Sequence, residues 1–455
     1  MQRLEGKSVA VIGLGVSGVA AARLAFAKGG DVYVSDSGSN AAASARAADL
    51  RSAGVTVQLG GHDIDRVAGS GIVVVSPGIR PDAPVLRALR EREVPWISEP
   101  ELAFRFFSGQ LIAVTGTNGK TTTTLLIAHL LAEAGLRAAA GGNVGGGLAP
   151  AASDLALLDE PPDWYVLEMS SFQLAGVDTF RPDIGVVTNL SSDHLDYYDD
   201  VGAYFADKER LFERATSRSS WVLPHGDETV AGVAGSAPGQ RFYFGGDEGA
   251  GSDAWVDGGT MWIRRDGSSE AVLAVSDFPL LGRHNVSNAL AAAVVARLAG
   301  ASTENISAGL QTTRSLPHRM QPVADVDDIL WVNDSKATNV AATLSALESI
   351  DRPVVLLLGG TDKGEAFAPL IPALLKRVHC AVVYGAAGPR IASELSDAVP
   401  VELHADDFAV VLERAAEIAR VGDVILLSPA CSSFDMFESY EHRGRAFAAF
   451  AEEMA

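Results

Sequence analysis

Residues 115–122 read Thr-Gly-Thr-Asn-Gly-Lys-Thr-Thr, a glycine-bearing turn that runs directly into a lysine and two hydroxyls. Glycines let the backbone amides of such a turn converge on phosphate oxygens. A lysine there reaches the β- and γ-oxygens, and the neighbouring hydroxyl can hold Mg²⁺. On that pattern Gly116, Thr117, Asn118, Gly119, Lys120, Thr121 and Thr122 form a cradle for ATP, with Lys120 and Thr121 as the working groups. The spacing departs from the standard phosphate loop, whose first glycine would fall where Val114 stands.

A second turn, Gly13-Leu14-Gly15-Val16-Ser17-Gly18, fits G-x-G-x-x-G, and Asp36 ends the next apolar run. It predicts a diphosphate held at a helix N-terminus. Taken alone, the pattern suits a nicotinamide dinucleotide as well as a nucleotide-sugar diphosphate. A dehydrogenase has no use for the Lys120 turn, however, whereas two such turns in separate blocks suit ATP plus a second nucleotide.

Polar residues after other apolar runs supply further candidates. Glu168 directly follows Trp164-Tyr165-Val166-Leu167, and a carboxylate at the C-terminal end of a parallel strand faces the ligand crevice. His194, within Ser192-Asp193-His194-Leu195-Asp196, suits a metal ligand or a capped loop histidine equally. Lys208, on the helix that follows, reads from its own surroundings as a surface lysine. Asn333–Asn339 offers Asp334 as an acceptor for a ribose and Lys336 and Thr338 as donors to an anion. Together with Gly359–Gly364 and Ser428–Asp435 it makes three polar turns at three strand ends, which predicts one shared pocket. Cys431 reads as a small packed residue.

The elements that must position these groups follow from hydropathy. Short, near-continuous apolar runs at 8–12, 31–36, 72–75, 111–114, 164–167, 184–187, 329–332, 354–358, 381–384 and 424–427 alternate with helical stretches. That alternation predicts an α/β protein with parallel, doubly wound sheets. Helices are expected over 122–134 and 285–298. Residues 138–153, nearly all Ala and Gly, are expected to form a loop over a sheet edge, and 220–275 a small antiparallel subregion. Three domains are expected, at 1–107, 108–315 and 316–455.

Lys plus Arg is 36 against 57 Asp plus Glu, a net charge of −21. That balance opposes a nucleic-acid partner and an anionic membrane surface. No apolar stretch is long enough to span a bilayer, and only two cysteines occur. The expectation is a cytoplasmic protein without membrane insertion, acting as a monomer on small molecules.

In their order along the chain, these motifs resemble the Mur ligases of bacterial cell-wall synthesis. The resemblance is carried by Thr115–Thr122, Glu168-Met169-Ser170-Ser171-Phe172-Gln173-Leu174, Asp193–Asp196, Leu316-Pro317-His318-Arg319, Asn333–Asn339 and Ser428–Phe437. The Thr-Gly-Thr-Asn-Gly-Lys turn is shared with folylpolyglutamate synthases. The Ser-Ser-Phe-Gln, Asp-Ser-Lys-Ala-Thr-Asn and Ser-Pro-Ala-Cys segments look specific to the D-glutamate-adding branch.

What the resemblance implies is a Rossmann-like N-terminal domain for a UDP moiety, a central P-loop-type ATP-binding domain, and a C-terminal Rossmann-like domain for D-glutamate and part of ATP. It implies an ATP- and Mg²⁺-dependent ligase that joins D-glutamate to UDP-N-acetylmuramoyl-L-alanine (UDP-MurNAc-L-Ala) through an acyl phosphate. By resemblance, Gly15, Val16, Ser17, Asp36, Ser37 and Gly78 meet the UDP moiety, and Asn143 and His194 the muramoyl-alanine carboxylate. Thr121, Glu168, His194 and Lys208, the last as a carbamate, hold Mg²⁺. Asn285, Arg319 and Asp334 join the Thr115–Thr122 turn at ATP. Lys336, Thr338, Ser433, Phe434 and Tyr440 grip D-glutamate, and Lys120, His194, Lys208 and Lys336 are the catalytic set. One departure is visible: Gly38 stands where a family member carries Arg, two residues beyond Asp36.

Overall fold

The computed structural model describes residues 4–145, 147–193, 197–198, 200–246, 251–265, 267–362, 364–404 and 407–455. They build three sheets. The first contains β1 (Ser8–Ile12), β2 (Asp31–Asp36), β3 (Thr56–Leu59), β4 (Ile72–Val75) and β5 (Ile97–Ser98), all parallel in the order β3-β2-β1-β4-β5.

The second contains β6 (Gln110–Thr115), β7 (Ala138–Gly142), β8 (Trp164–Glu168), β9 (Ile184–Val187), β10 (Ser220–Pro224), β11 (Gln240–Phe244), β12 (Ala254–Asp257), β13 (Thr260–Arg265) and β14 (Ser268–Ala274). Their order is β14-β13-β12-β11-β10-β9-β6-β8-β7. The third contains β15 (Gln321–Val326), β16 (Ile329–Asn333), β17 (Val354–Gly359), β18 (Val378–Tyr384), β19 (Val401–His404) and β20 (Val424–Leu427), in the order β15-β16-β20-β17-β18-β19. Only the β15–β16 pair in it is antiparallel.

The apolar runs become strands because both of their faces are covered. Along β17, Val354, Leu356 and Leu358 enter one core with Leu374 and Ile391, while Val355 and Leu357 enter another with Val411 and Phe447. The two-residue period of a strand thus feeds two helical layers, from 371–377 and 388–395 on one face and from 408–418 and 440–454 on the other. Both cysteines are buried and free, Cys380 on β18 and Cys431 just beyond β20. Cys431 packs in the core as expected. Among the described residues no helix is long and apolar enough to cross a membrane.

The chain divides into two compact units, Met1–Val275 with Ser287–Gln311, and Ser276–Val286 with Thr312–Ala455. The first unit holds two sheets joined by one apolar core that runs from Val9 and Leu24 to Tyr165 and Trp221. Two fully buried carboxylates reinforce that core. Glu101 Oε2 accepts the backbone N–H groups of Asp178, Thr179 and Phe180 at 2.9–3.1 Å, and its Oε1 takes the Thr179 hydroxyl at 2.6 Å and Arg105 at 3.0 Å. Glu99 Oε1 accepts the Ser153 N–H at 2.5 Å, and burial pushes Glu99 up to about 7.

Two expectations need correction. Residues 138–142 are not loop: they form β7, paired parallel with β8 at the sheet edge. Ala and Gly favour strands weakly, but the close approach here demands them. A Cβ on Gly141 would lie 2.7 Å from Leu155 Cδ1, and one on Gly142 would lie 2.4 Å from the Glu168 carbonyl oxygen. Nor is 220–275 a separate antiparallel region. β10 and β11 run parallel to β9 and extend the main sheet, and only β12–β14 are antiparallel. The run Trp221-Val222-Leu223 is buried throughout, as a strand inside a parallel sheet must be.

Candidate active site

β6 delivers the chain to Thr115, and the helix Lys120–Glu133 carries it away. Between them, Gly116 has φ 144° and Gly119 φ 80°, a backbone that side chains resist. Space forbids a side chain as well. A Cβ on Gly116 would lie 2.0 Å from Thr188 Oγ1, and one on Gly119 would lie 2.4 Å from Asn288 Oδ1.

The loop after β9 clamps this turn. Thr188 Oγ1 donates to the Asn118 carbonyl at 2.6 Å, and Asn189 Nδ2 donates to the same oxygen at 3.0 Å. Asn189 Oδ1 accepts the Asn118 N–H at 3.0 Å. Lys120 Nζ donates to the Thr117 carbonyl at 2.8 Å, and Thr121 is buried in the first turn of the helix. No motif assigns Thr188, Asn189, Tyr204 or Asn288 to this role. The first two carry a signal, polar residues ending a buried strand beside β6. Asn288 carries none, because no pattern pairs it with residue 119.

Lys208 is not the surface lysine its neighbours suggest. It is 1% exposed, on the helix Val201–Glu209, and donates to the Gly116 carbonyl at 2.7 Å. Its ammonium also lies 4.7 Å from the centre of the Tyr204 ring, whose hydroxyl shares a hydrogen bond with Thr117 Oγ1 at 3.2 Å. Burial and the neighbouring Lys120 charge push Lys208 down to about 7, with Asp193, Glu168 and Asp207 opposing. A large fraction of it is therefore neutral amine at physiological pH.

Glu168, buried at the end of β8, accepts Asn143 Nδ2 on Oε1 at 3.2 Å. Among the described residues its buried Oε2 has no hydrogen-bond partner. An orphaned buried carboxylate oxygen is costly unless a cation meets it. With the Thr121 hydroxyl on the adjacent strand's turn, the oxygen donors fit Mg²⁺. Among the described residues no three His, Cys, Asp or Glu side chains form a metal cluster. The expected ligand His194 lies outside the described residues.

At the first sheet, β1 and β4 are neighbours at the point where strand order reverses, the usual crevice for a nucleotide. Gly13 and Gly18 serve packing: a Cβ on Gly18 would lie 2.0 Å from the Gly13 carbonyl oxygen. Gly15, at the helix N-cap, meets open space, which leaves its backbone approachable by a diphosphate. Asp36 Oδ2 accepts the Leu14 N–H at 2.6 Å and Oδ1 the Gly38 N–H at 2.7 Å, so both oxygens shape the turn. Ser76 Oγ donates to the Gly13 carbonyl at 3.3 Å and brings the end of β4, with Gly78, to the same crevice. Val16 is 69% exposed at the helix start, an apolar surface that a ligand would cover. Ser17 is half-buried and Ser37 exposed.

In the second unit, the turns after β16, β20 and β17 follow adjacent strands and interlock. Ser428 Oγ donates to Asp334 Oδ2 at 2.8 Å, the Met320 N–H to Asp334 Oδ1 at 3.1 Å, and Thr361 and Ser432 exchange backbone hydrogen bonds at 2.9 and 3.0 Å. Burial pushes Asp334 up to about 7 against the nearby Arg319 charge. Lys336 Nζ lies 5.3 Å from the Tyr440 ring centre. Ser433 is buried, Thr338 half-buried and Phe434 74% exposed. Asn285, also of this unit, donates its amide to the Leu281 carbonyl at 2.7 Å.

Comparison with known proteins defines the class. Residues 7–98 match the Mur ligase MurD-like N-terminal domain, 114–296 the Mur ligase middle domain, and 318–431 the Mur ligase glutamate ligase domain. The chain belongs to the Mur ligase family, and the nicotinamide reading of Gly13–Gly18 falls with that match. Within the family its curated relatives include D-glutamate ligases. It is 40% identical to the UDP-N-acetylmuramoylalanine--D-glutamate ligase of Acidobacterium capsulatum, over 98% of this chain and 96% of that one. It is 42% identical to the enzyme of the same name from Anaeromyxobacter dehalogenans, over 99% of each. The solved UDP-N-acetylmuramate-alanine ligase MurC of Thermotoga maritima shares the fold, with TM-score 0.60 at 20% identity over 99% of this chain and 100% of that one.

Proposed function

We propose that this chain is the ATP-dependent ligase that joins D-glutamate to UDP-N-acetylmuramoyl-L-alanine in the synthesis of peptidoglycan precursors. What carries the reading is Lys208 seated on the phosphate turn, within the electrostatic reach of Lys120 and Glu168, in a chain homologous end to end to D-glutamate ligases.

A carboxylate resists attack by an amine. Transfer of the ATP γ-phosphoryl group to the L-alanyl carboxylate breaks the β–γ bridge, releases ADP and makes an acyl phosphate. The D-glutamate amine attacks its carbonyl carbon and loses a proton. The tetrahedral intermediate then collapses to the amide and inorganic phosphate. In this scheme the amides of Thr115–Thr122 and Lys120 hold the phosphates and offset the charge on the transferred group. Thr121, Glu168, His194 and Lys208 as a carbamate would hold Mg²⁺, which neutralises phosphate charge when bound. Lys208 reaches that state when its neutral amine adds CO₂ and releases a proton. Asn143, which also donates to Glu168, and His194 orient the acceptor carboxylate. The Gly13–Gly18 turn and the β4 end anchor the uridylyl part, the latter through Gly78. Lys336, Thr338, Ser433, Phe434 and Tyr440 hold D-glutamate, and Asn285, Arg319 and Asp334 the nucleoside of ATP.

The test is phosphate release from ATP by the purified protein. It should require UDP-N-acetylmuramoyl-L-alanine and D-glutamate together. Release supported by L-glutamate alone, or by neither amino acid, overturns the assignment.

A further inference from the structure

Arg443 is fully buried, on the C-terminal helix Tyr440–Met454. Among the described residues its guanidinium donates to neutral acceptors. Nε donates to Ser335 Oγ at 3.0 Å, and one terminal nitrogen to the Ser335 carbonyl at 2.9 Å and the Cys431 carbonyl at 3.1 Å. The other donates to the Gly359 carbonyl at 3.3 Å. Ser335 Oγ in turn donates to the Tyr440 carbonyl at 2.8 Å.

Ser335 and Cys431 lie on the turns that follow β16 and β20, and Gly359 is the last residue of β17, where the third turn begins. The same turns carry Lys336 and Thr338, Ser433 and Phe434, and Thr361. Gly360 is kept bare beside the knot, since a Cβ there would lie 3.2 Å from the guanidinium and 2.1 Å from the Ser432 carbonyl oxygen. A buried arginine usually finds a carboxylate, because an uncompensated charge in a dry interior is costly. Here the hydrogen bonds are nearly complete and the charge is not paired. Backbone carbonyls and the Ser335 hydroxyl satisfy the guanidinium's protons without neutralising it, and Asp362, Glu365 and Asp435 act on the same pocket from the turns above.

We propose that Arg443 is the positioning residue for the amino-acid substrate: it locks the three turns together and supplies, from beneath them, the fixed positive charge that favours a dicarboxylate amino acid. The proposal rests on the D-glutamate reading above. Arg443 itself is shielded from solvent.

The test is steady-state kinetics on Arg443→Gln and Arg443→Lys, with KM measured separately for D-glutamate, ATP and the UDP-linked acceptor. In Arg443→Gln, KM for D-glutamate should rise tenfold or more while the other two stay within about twofold. Arg443→Lys keeps the charge and should recover most of that loss. An unchanged KM for D-glutamate in folded Arg443→Gln overturns the proposal, as does an equal rise in all three values. If Arg443→Gln fails to fold, Ser335→Ala loosens the same knot and should raise KM for D-glutamate about threefold with KM for ATP unmoved; no change there also overturns it. Wild-type protein that ignores D-glutamate would instead sink the assignment of function, so the two failures remain distinct.

Discussion

Lys208 Nζ lies 2.7 Å from the carbonyl oxygen of Gly116, so a buried amine is tied to the backbone that would cradle ATP. The contact fixes the lysine at the phosphate turn, and burial with the Lys120 charge keeps it near half-neutral at pH 7. Only the neutral amine can take up CO₂. After CO₂ is stripped and restored, recovery of activity should therefore quicken as pH rises from 6 to 8, by about tenfold, and level off above. Lys208→Ala should be inactive, and a small added carboxylic acid should restore part of its phosphate release. A variant that runs at the wild-type rate removes the carbamate from the mechanism.

Lys120→Ala should lower kcat by on the order of a hundredfold or more, with the melting temperature little changed. The lysine donates to the Thr117 carbonyl near its own helix, a local contact worth little to the fold. Single-turnover phosphate release separates this from a binding defect.

Thr188→Ala should both loosen the phosphate turn and destabilise the chain, because the buried Thr188 hydroxyl donates to the Asn118 carbonyl. A loss of about 1–2 kcal/mol is expected from the missing hydroxyl, together with a raised KM for ATP. Calorimetry and ATP titration read the two effects separately; a raised KM for D-glutamate alone would contradict the clamp.

Glu99 ties stability to pH. Its ordinary value is 4.5, and burial raises it to about 7 in the folded chain. Between those values the folded state holds the proton more tightly than the unfolded one. The contribution is present in full below about pH 4.5 and is lost as pH rises through 7. The melting temperature should fall across that window, and Glu99→Gln should flatten the fall by an amount on the order of 3 kcal/mol. Asp334 shows the same direction from the other unit, so the variant isolates one slope and leaves the other.

Much of the scaffold was legible because parallel strands buried on both faces must be apolar throughout, as in Val354–Leu358. The phosphate turn was legible because only glycine fits at Gly116 and Gly119. The short strands β3, β5, β15 and β19 were not, since each is short or sits at or near an edge and needs little apolar signal. β7 was hidden by its Ala-Gly composition. The burial of Lys208 and the clamp by Thr188 and Asn189 depend on contacts across about seventy to ninety residues of chain, which no local pattern records. Arg443 was invisible for the same reason: within the helix it looks like any arginine beside Glu441 and Arg445.

The placement of the two cysteines gives the molecule a built-in reporter. Cys380 and Cys431 both belong to the second unit and both are sealed from solvent. An alkylating reagent can reach either sulfur only when that half of the chain opens, whereas the larger half offers no sulfhydryl to modify. Labelling kinetics on the unaltered protein would therefore time the breathing of the amino-acid end alone, without any engineered tag.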